Sequence, residues 1–145
     1  MFVLLRATLA LTLLLLSALA ASAECFHAPV SDYIKHSDRI FRGTVTDIEK
    51  HDTHLLITFR VSRVWKGNPG RTTVLHQLTG LDRATWPANP IGLEFLIFAR
   101  RLSEDEREFI GTKGADVFGV PICKHATSIG HASEFLKRLG KGRTP

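Results

Sequence analysis

Apolar and polar positions change rhythm along the chain. Residues 1–23 hold one charge, Arg6, and residues 7–20 are mostly leucine and alanine. From residue 40 the period becomes two. Phe41, Gly43 and Val45 share one face of a strand over residues 40–48. Leu55, Ile57, Phe59 and Val61 alternate with Leu56, Thr58, Arg60 and Ser62. That predicts a long half-buried strand with a bulge near Arg63-Val64-Trp65. Residues 72–78 and 115–120 read as shorter strands. Residues 93–99 are nearly all apolar, which predicts a central strand. Polar turns occupy 49–53 and 66–70, a long loop runs over 79–90, and 100–108 is a charged excursion. A short helix is expected just after Pro29, with Ser31 as its N-cap and Tyr33, Ile34 and Ser37 inward. A second, over 132–139, turns Phe135, Leu136 and Leu139 inward. Five closely spaced strands with short flanking helices predict an all-β domain closed into a small barrel.

The apolar start has the form of a secretory signal peptide: a basic residue, an apolar stretch and Ala21-Ser22-Ala23 before the cut. The stretch is short for a membrane span of ~20 residues. Residues 1–23 are thus expected to be removed, leaving residues 24–145 as a single domain with a C-terminal helix. The leader inflates the 44% hydrophobic content of the 145-residue chain. The remainder carries a net charge of +4, from eighteen basic and fourteen acidic residues. This picture excludes a multidomain protein, a membrane channel and a cytosolic enzyme. The expected location is periplasmic or extracellular. There Cys25 and Cys123 read as a disulfide. Closing a loop of ~100 residues stabilises by up to about 4.7 kcal/mol in the chain-entropy view.

Three strings then resemble one family. Residues 37–45 (SDRIFRGTV) are similar to the AD-x-V-F-x-G-x-V opening of bacterial proteins related to tissue inhibitors of metalloproteinases. Residues 58–67 (TFRVSRVWKG) resemble their F-x-V-x-x-V-W-K-G strand, and residues 92–99 (GLEFLIFA) their G-x-x-Y-L-V-F-A. The resemblance covers roughly residues 25–123. It implies a five-stranded OB-like barrel flanked by helices, shared with netrin-type modules. It also implies a ridge for a protein partner, built from the N-terminal segment and the loop over 79–90. The animal inhibitors chelate a protease zinc through an N-terminal cysteine in a C-x-C pair. Here Cys25 aligns with the second cysteine, and the first would fall at Ala23. The partner of that first cysteine is missing too, so the resemblance implies one retained bridge, Cys25–Cys123, without the chelating wedge.

Seven histidines raise a metal question. Cys25-Phe26-His27 and Cys123-Lys124-His125 are both C-x-H, a Cys₂His₂ set if the thiols are reduced and a disulfide with nearby histidines if they are not. His51-Asp52-Thr53-His54 offers ligands for zinc or copper, or is simply a solvated turn. No H-E-x-x-H, G-x-S-x-G or P-loop string is present. Arg42, Arg60, Arg63 and Lys66 lie on strands beside Trp65, a layout also used for single-stranded nucleic acid. Export argues against that ligand, although an anionic surface or glycan stays open. Lys137, Arg138, Lys141 and Arg143 read as a solvated helix face and end. The expectation is a monomeric, non-enzymatic, protein-binding module without a cofactor, its partner a protein such as a protease and not nucleic acid. The residues expected to meet the partner are Phe26, His27, Ala28, Pro29, Asp82 and Trp86; His27, His125, His51 and His54 are the metal candidates.

Overall fold

The computed structural model describes residues 29–78, 86–120 and 126–145. In chain order these form α1 (Val30–His36), β1 (Arg39–Lys50), β2 (His54–Lys66), β3 (Thr72–Leu78), β4 (Glu94–Arg101), α2 (Glu104–Phe109), β5 (Phe118–Gly119), β6 (Ala126–Ser128) and α3 (Ser133–Leu139). A 3₁₀ turn, Ile129–His131, leads into α3. The sheet order is β1-β2-β3-β5-β4, and β1 also pairs with β4, which closes a five-stranded barrel. Only the β3–β5 pair, at His76 and Gly119, is parallel. β6 extends the line of β5 along β4. The arrangement is consistent with an OB-like barrel.

Two apolar layers explain the two kinds of strand pattern. Phe41, Val45, Ile57, Phe59, Leu75 and Phe95 fill the barrel interior. On the outer side of β1 and β4, Ile40, Leu96 and Phe98 pack under Tyr33 of α1 and Phe135, Leu136 and Leu139 of α3. Leu96, Ile97, Phe98 and Ala99 are therefore all buried, because β4 is covered on both faces. Tyr33, Phe98 and Phe135 meet with ring centroids 5.2 to 5.8 Å apart. β2 and β3 keep the alternation of a strand with one open side, and Val74 stands half exposed there.

The expected bulge is present: Ile40 pairs with Lys66 and Phe41 with Val64, leaving Trp65 as an extra residue in β2. A second shift lies just before it, where Arg42 pairs with Arg63 and Gly43 with Val61, leaving Ser62 over. Gly67 closes the following turn at φ +71°, where a Cβ would come within 2.6 Å of the Asp38 carbonyl oxygen.

Three local expectations differ from the structure. Pro29 precedes α1 with φ −57° and no side-chain cap, and Ser31 lies inside the helix; proline's preset φ suits a helix start without a capping hydroxyl. The charged excursion holds α2, started by a reciprocal capping box between Ser103 and Glu106. Only Phe118–Gly119 of the expected strand over 115–120 is paired as strand. Among the described residues, no helix is long and apolar enough to cross a membrane.

Candidate functional site

One end of the barrel gathers the β1–β2 turn and the chain that leads into β4. Trp86 sits at this opening. Its indole packs on Phe95 (centroids 4.8 Å, edge to face) and Phe59 (6.0 Å). Its Nε1–H donates to Oε1 of Gln77, a side chain only 4% exposed on the inner face of β3. The ring is thus engaged by the core and anchors the chain leading to β4.

Beyond it the backbone makes a tight turn. Leu93 N–H donates to the Pro90 carbonyl at 3.0 Å, with Gly92 at φ +83°. Two bonds pin the turn to β1: Gly92 N–H to the Val45 carbonyl (2.8 Å) and Val45 N–H to the Leu93 carbonyl (3.0 Å). The turn holds Ile91 and Leu93 out in solvent, 52% and 47% exposed. Two large apolar side chains on a doubly pinned turn are costly to leave wet, and they need little ordering to meet a partner.

The outer surface of the same end carries a stack of histidines. His51 N–H closes the β1–β2 turn on the His54 carbonyl at 2.9 Å. The two rings lie face to face, 4.7 Å apart and 5° from parallel. His54 in turn meets His76 of β3 at 5.1 Å and 30°. His54 pairs with Leu78 and Leu56 with His76, so the two histidines are diagonal neighbours on the outer face. Sandwiched there, His54 is 7% exposed, and its Nδ1 lies 3.1 Å from the Thr53 hydroxyl. His51 Nε2 lies 3.1 Å from a Glu49 carboxylate oxygen but off the line of a hydrogen bond, and His76 Nδ1 is buried with no hydrogen-bond partner among the described residues.

Burial, and then the charge of His51, hold the His54 pKa below the ordinary histidine value, with Glu49 opposing. Burial, then His54 and His51, lower that of His76. His54 and His76 therefore favour the uncharged ring. Rings stacked face to face do not aim their nitrogens at one point. Among the described residues no three His, Cys, Asp or Glu side chains gather as metal ligands.

Of the residues expected to meet a partner, Pro29 is exposed just ahead of α1, and Trp86 packs as above. Phe26, His27, Ala28 and Asp82 lie outside the described residues, as do Cys25, Cys123 and His125. His51 and His54 do come together, joined by His76, which sequence reasoning passed over. Alternation puts His54 and His76 on outward positions of their strands, but only the register makes them neighbours. Ile91 and Leu93 were passed over too, because exposed apolar residues look like core residues in a sequence. Comparison with protein-family models and with curated proteins finds no match.

Proposed function

We propose that this chain is an exported, non-enzymatic protein-binding module that docks a partner on the barrel end formed by Trp86 and the turn through Ile91 and Leu93. The observation that carries the reading is the pair of exposed apolar side chains on a turn pinned twice to β1. A rigid apolar tip beside a polar barrel is the anatomy of an interface anchor. The likeness of residues 37–45, 58–67 and 92–99 to inhibitor-like proteins supports it, since the loop over 79–90, which leads into this turn, corresponds to part of their ridge. In this reading Cys25 and Cys123 form a disulfide that ties the N-terminal segment to the barrel, and the partner is a protein such as a metalloprotease, met without zinc chelation.

The test compares the exported protein with an Ile91→Asp/Leu93→Asp variant. Both are assayed as inhibitors of a metalloprotease panel and as baits for proteins exported by the same cells. The expected result is a protein retained by the wild type and weakened at least tenfold by the variant, whose circular dichroism is unchanged. Tenfold is about 1.4 kcal/mol, within reach of two anchor residues. Finding no protein whose retention depends on the turn sinks the proposal. A thiol titration in denaturant should count zero free thiols, and two would remove the disulfide.

A further inference from the structure

Residues 53–81 and 135–145 contain no acidic residue. They are far apart along the chain, and the fold zips them together. Arg143 and Val64 exchange both backbone bonds, at 2.8 and 2.7 Å. Trp65 Nε1–H donates to the Gly140 carbonyl at 2.9 Å, and the Arg63 guanidinium to the Lys141 carbonyl at 3.0 Å. Val61 N–H donates to the Arg71 carbonyl at 2.8 Å, which brings the start of β3 to the same edge of β2. The result is one strip of cations along residues 60–66 of β2: Arg60, Arg63, Lys66, Arg71, Lys141 and Arg143. At ~3.3 Å per residue the strand portion runs for about 20 Å.

All six side chains are exposed. None makes an ion pair with a described residue; the pairs between described residues are Arg42–Glu94, Arg100–Glu106 and Arg101–Asp116, besides the histidine contact His51–Glu49. Glu94 borders the strip through Ser62, at 3.1 Å, but its carboxylate is already taken by Arg42. Arg60, Arg71 and Lys141 make no side-chain hydrogen bond to a described residue. Six like charges held along one edge raise the local potential well above what a net charge of +4 conveys.

We propose that this strip binds an anionic polysaccharide. Arginine forks suit sulfate, phosphate and carboxylate groups along such a chain. Single-stranded nucleic acid is the less suitable polyanion. It is held by stacking bases on open aromatic rings, and the strip's one aromatic, Trp65, is packed against the outer apolar layer and bonded to Gly140. The proposal does not depend on the protein-docking reading, which rests on the turn at residues 90–93.

The test measures binding of the protein to a fluorescent heparin oligosaccharide between 25 and 300 mM salt, over which the Debye length shortens from about 19 to about 6 Å. Affinity should fall steeply and linearly on a log–log plot. Arg60→Gln/Arg71→Gln/Lys141→Gln should weaken it at least tenfold at low salt. Lys50→Gln/Arg107→Gln/Lys113→Gln removes the same charge elsewhere and should change it less than twofold. Equal losses in the two variants, or a salt-independent affinity, would overturn the strip as the site. Tighter binding of an oligothymidylate than of a heparin oligosaccharide of equal charge would overturn the ligand class.

Discussion

Acid should loosen the barrel end through His54 and His76 before Glu94 and Glu106 respond. His54 and His76 titrate below the ordinary value of about 6.5 in the folded protein, chiefly because burial disfavours the charged ring. In the unfolded chain they titrate near 6.5. A group whose folded pKa is depressed contributes stability that is fully present above the unfolded pKa. That stability drains away as pH falls from about 6.5 toward the folded values. Each histidine that gains a proton only on unfolding adds a slope of about 1.4 kcal/mol per pH unit. Two histidines give a limiting slope of about 2.7 kcal/mol per pH unit, large against a total stability of about 5–15 kcal/mol. The carboxylates act later. Glu106 is held down to about 2 by the Arg100 guanidinium, and Glu94 is lowered by Arg42, so their contributions are lost only below about pH 4.5. The assay is urea unfolding by tryptophan fluorescence at pH 7.5, 6.5, 5.5 and 5.0, for wild type and His54→Gln/His76→Gln. The wild type should lose stability steeply below pH 6.5 at constant m, and the variant should follow a shallower line. Parallel lines for the two proteins would refute the reasoning, and so would histidine NMR titrations placing both rings at or above 6.5.

Two packing predictions follow from the same end of the barrel. Trp86→Ala removes the ring from Phe59 and Phe95 and should cost about 3 kcal/mol by urea unfolding, the low end for a large aromatic because the ring is only partly buried; a cost under about 0.5 kcal/mol would mean the ring does not anchor the loop. In Gly119→Ala the added methyl would overlap the Leu102 side chain and lie 3.0 Å from the His76 carbonyl oxygen, straining the β3–β5 closure by about 1–3 kcal/mol; the same substitution should cost less in a Leu102→Ala background, whereas no cost in the single variant would contradict the tight approach.

The sequence carried the barrel strands because each obeys a local rule. β2 alternates because one face is wet, and β4 is apolar throughout because α1 and α3 cover its outer side. The bulge near Arg63 was legible from the break in alternation, since two successive residues, Ser62 and Arg63, are both polar, and the structure leaves both exposed. α2 was missed although Ser103 and Glu106 spell a capping box, because a helix whose residues are all outside the core shows no apolar stripe. Gly119 of β5 lets His76 and Leu102 approach closely, a constraint of tertiary contact that no propensity records. β6 pairs only with β4, and three residues are too few for a periodic signal.

The site was less legible, because each of its parts depends on register. His51 and His54 share a turn and were visible as a pair; His76 lies on another strand, and a one-residue slip of β3 would turn it inward. The cationic strip shows the same dependence over a longer distance. Taken singly, the basic residues of β2 read as a strand face and those after α3 as a solvated tail. The exchange of bonds between Val64 and Arg143 makes them one surface. The net charge hides this, because four of the fourteen acidic residues, Glu104, Asp105, Glu106 and Glu108, are concentrated on α2. A modest total is therefore the difference between an acidic helix and a basic edge. Binding to a polyanion follows the local potential within a Debye length of about 8–10 Å and not the sum. Charge-neutral rearrangements should thus matter as much as charge removal: exchanging the signs of Arg71 and Glu108 leaves the net charge unchanged, yet heparin affinity should fall nearly as far as with Arg71→Glu alone.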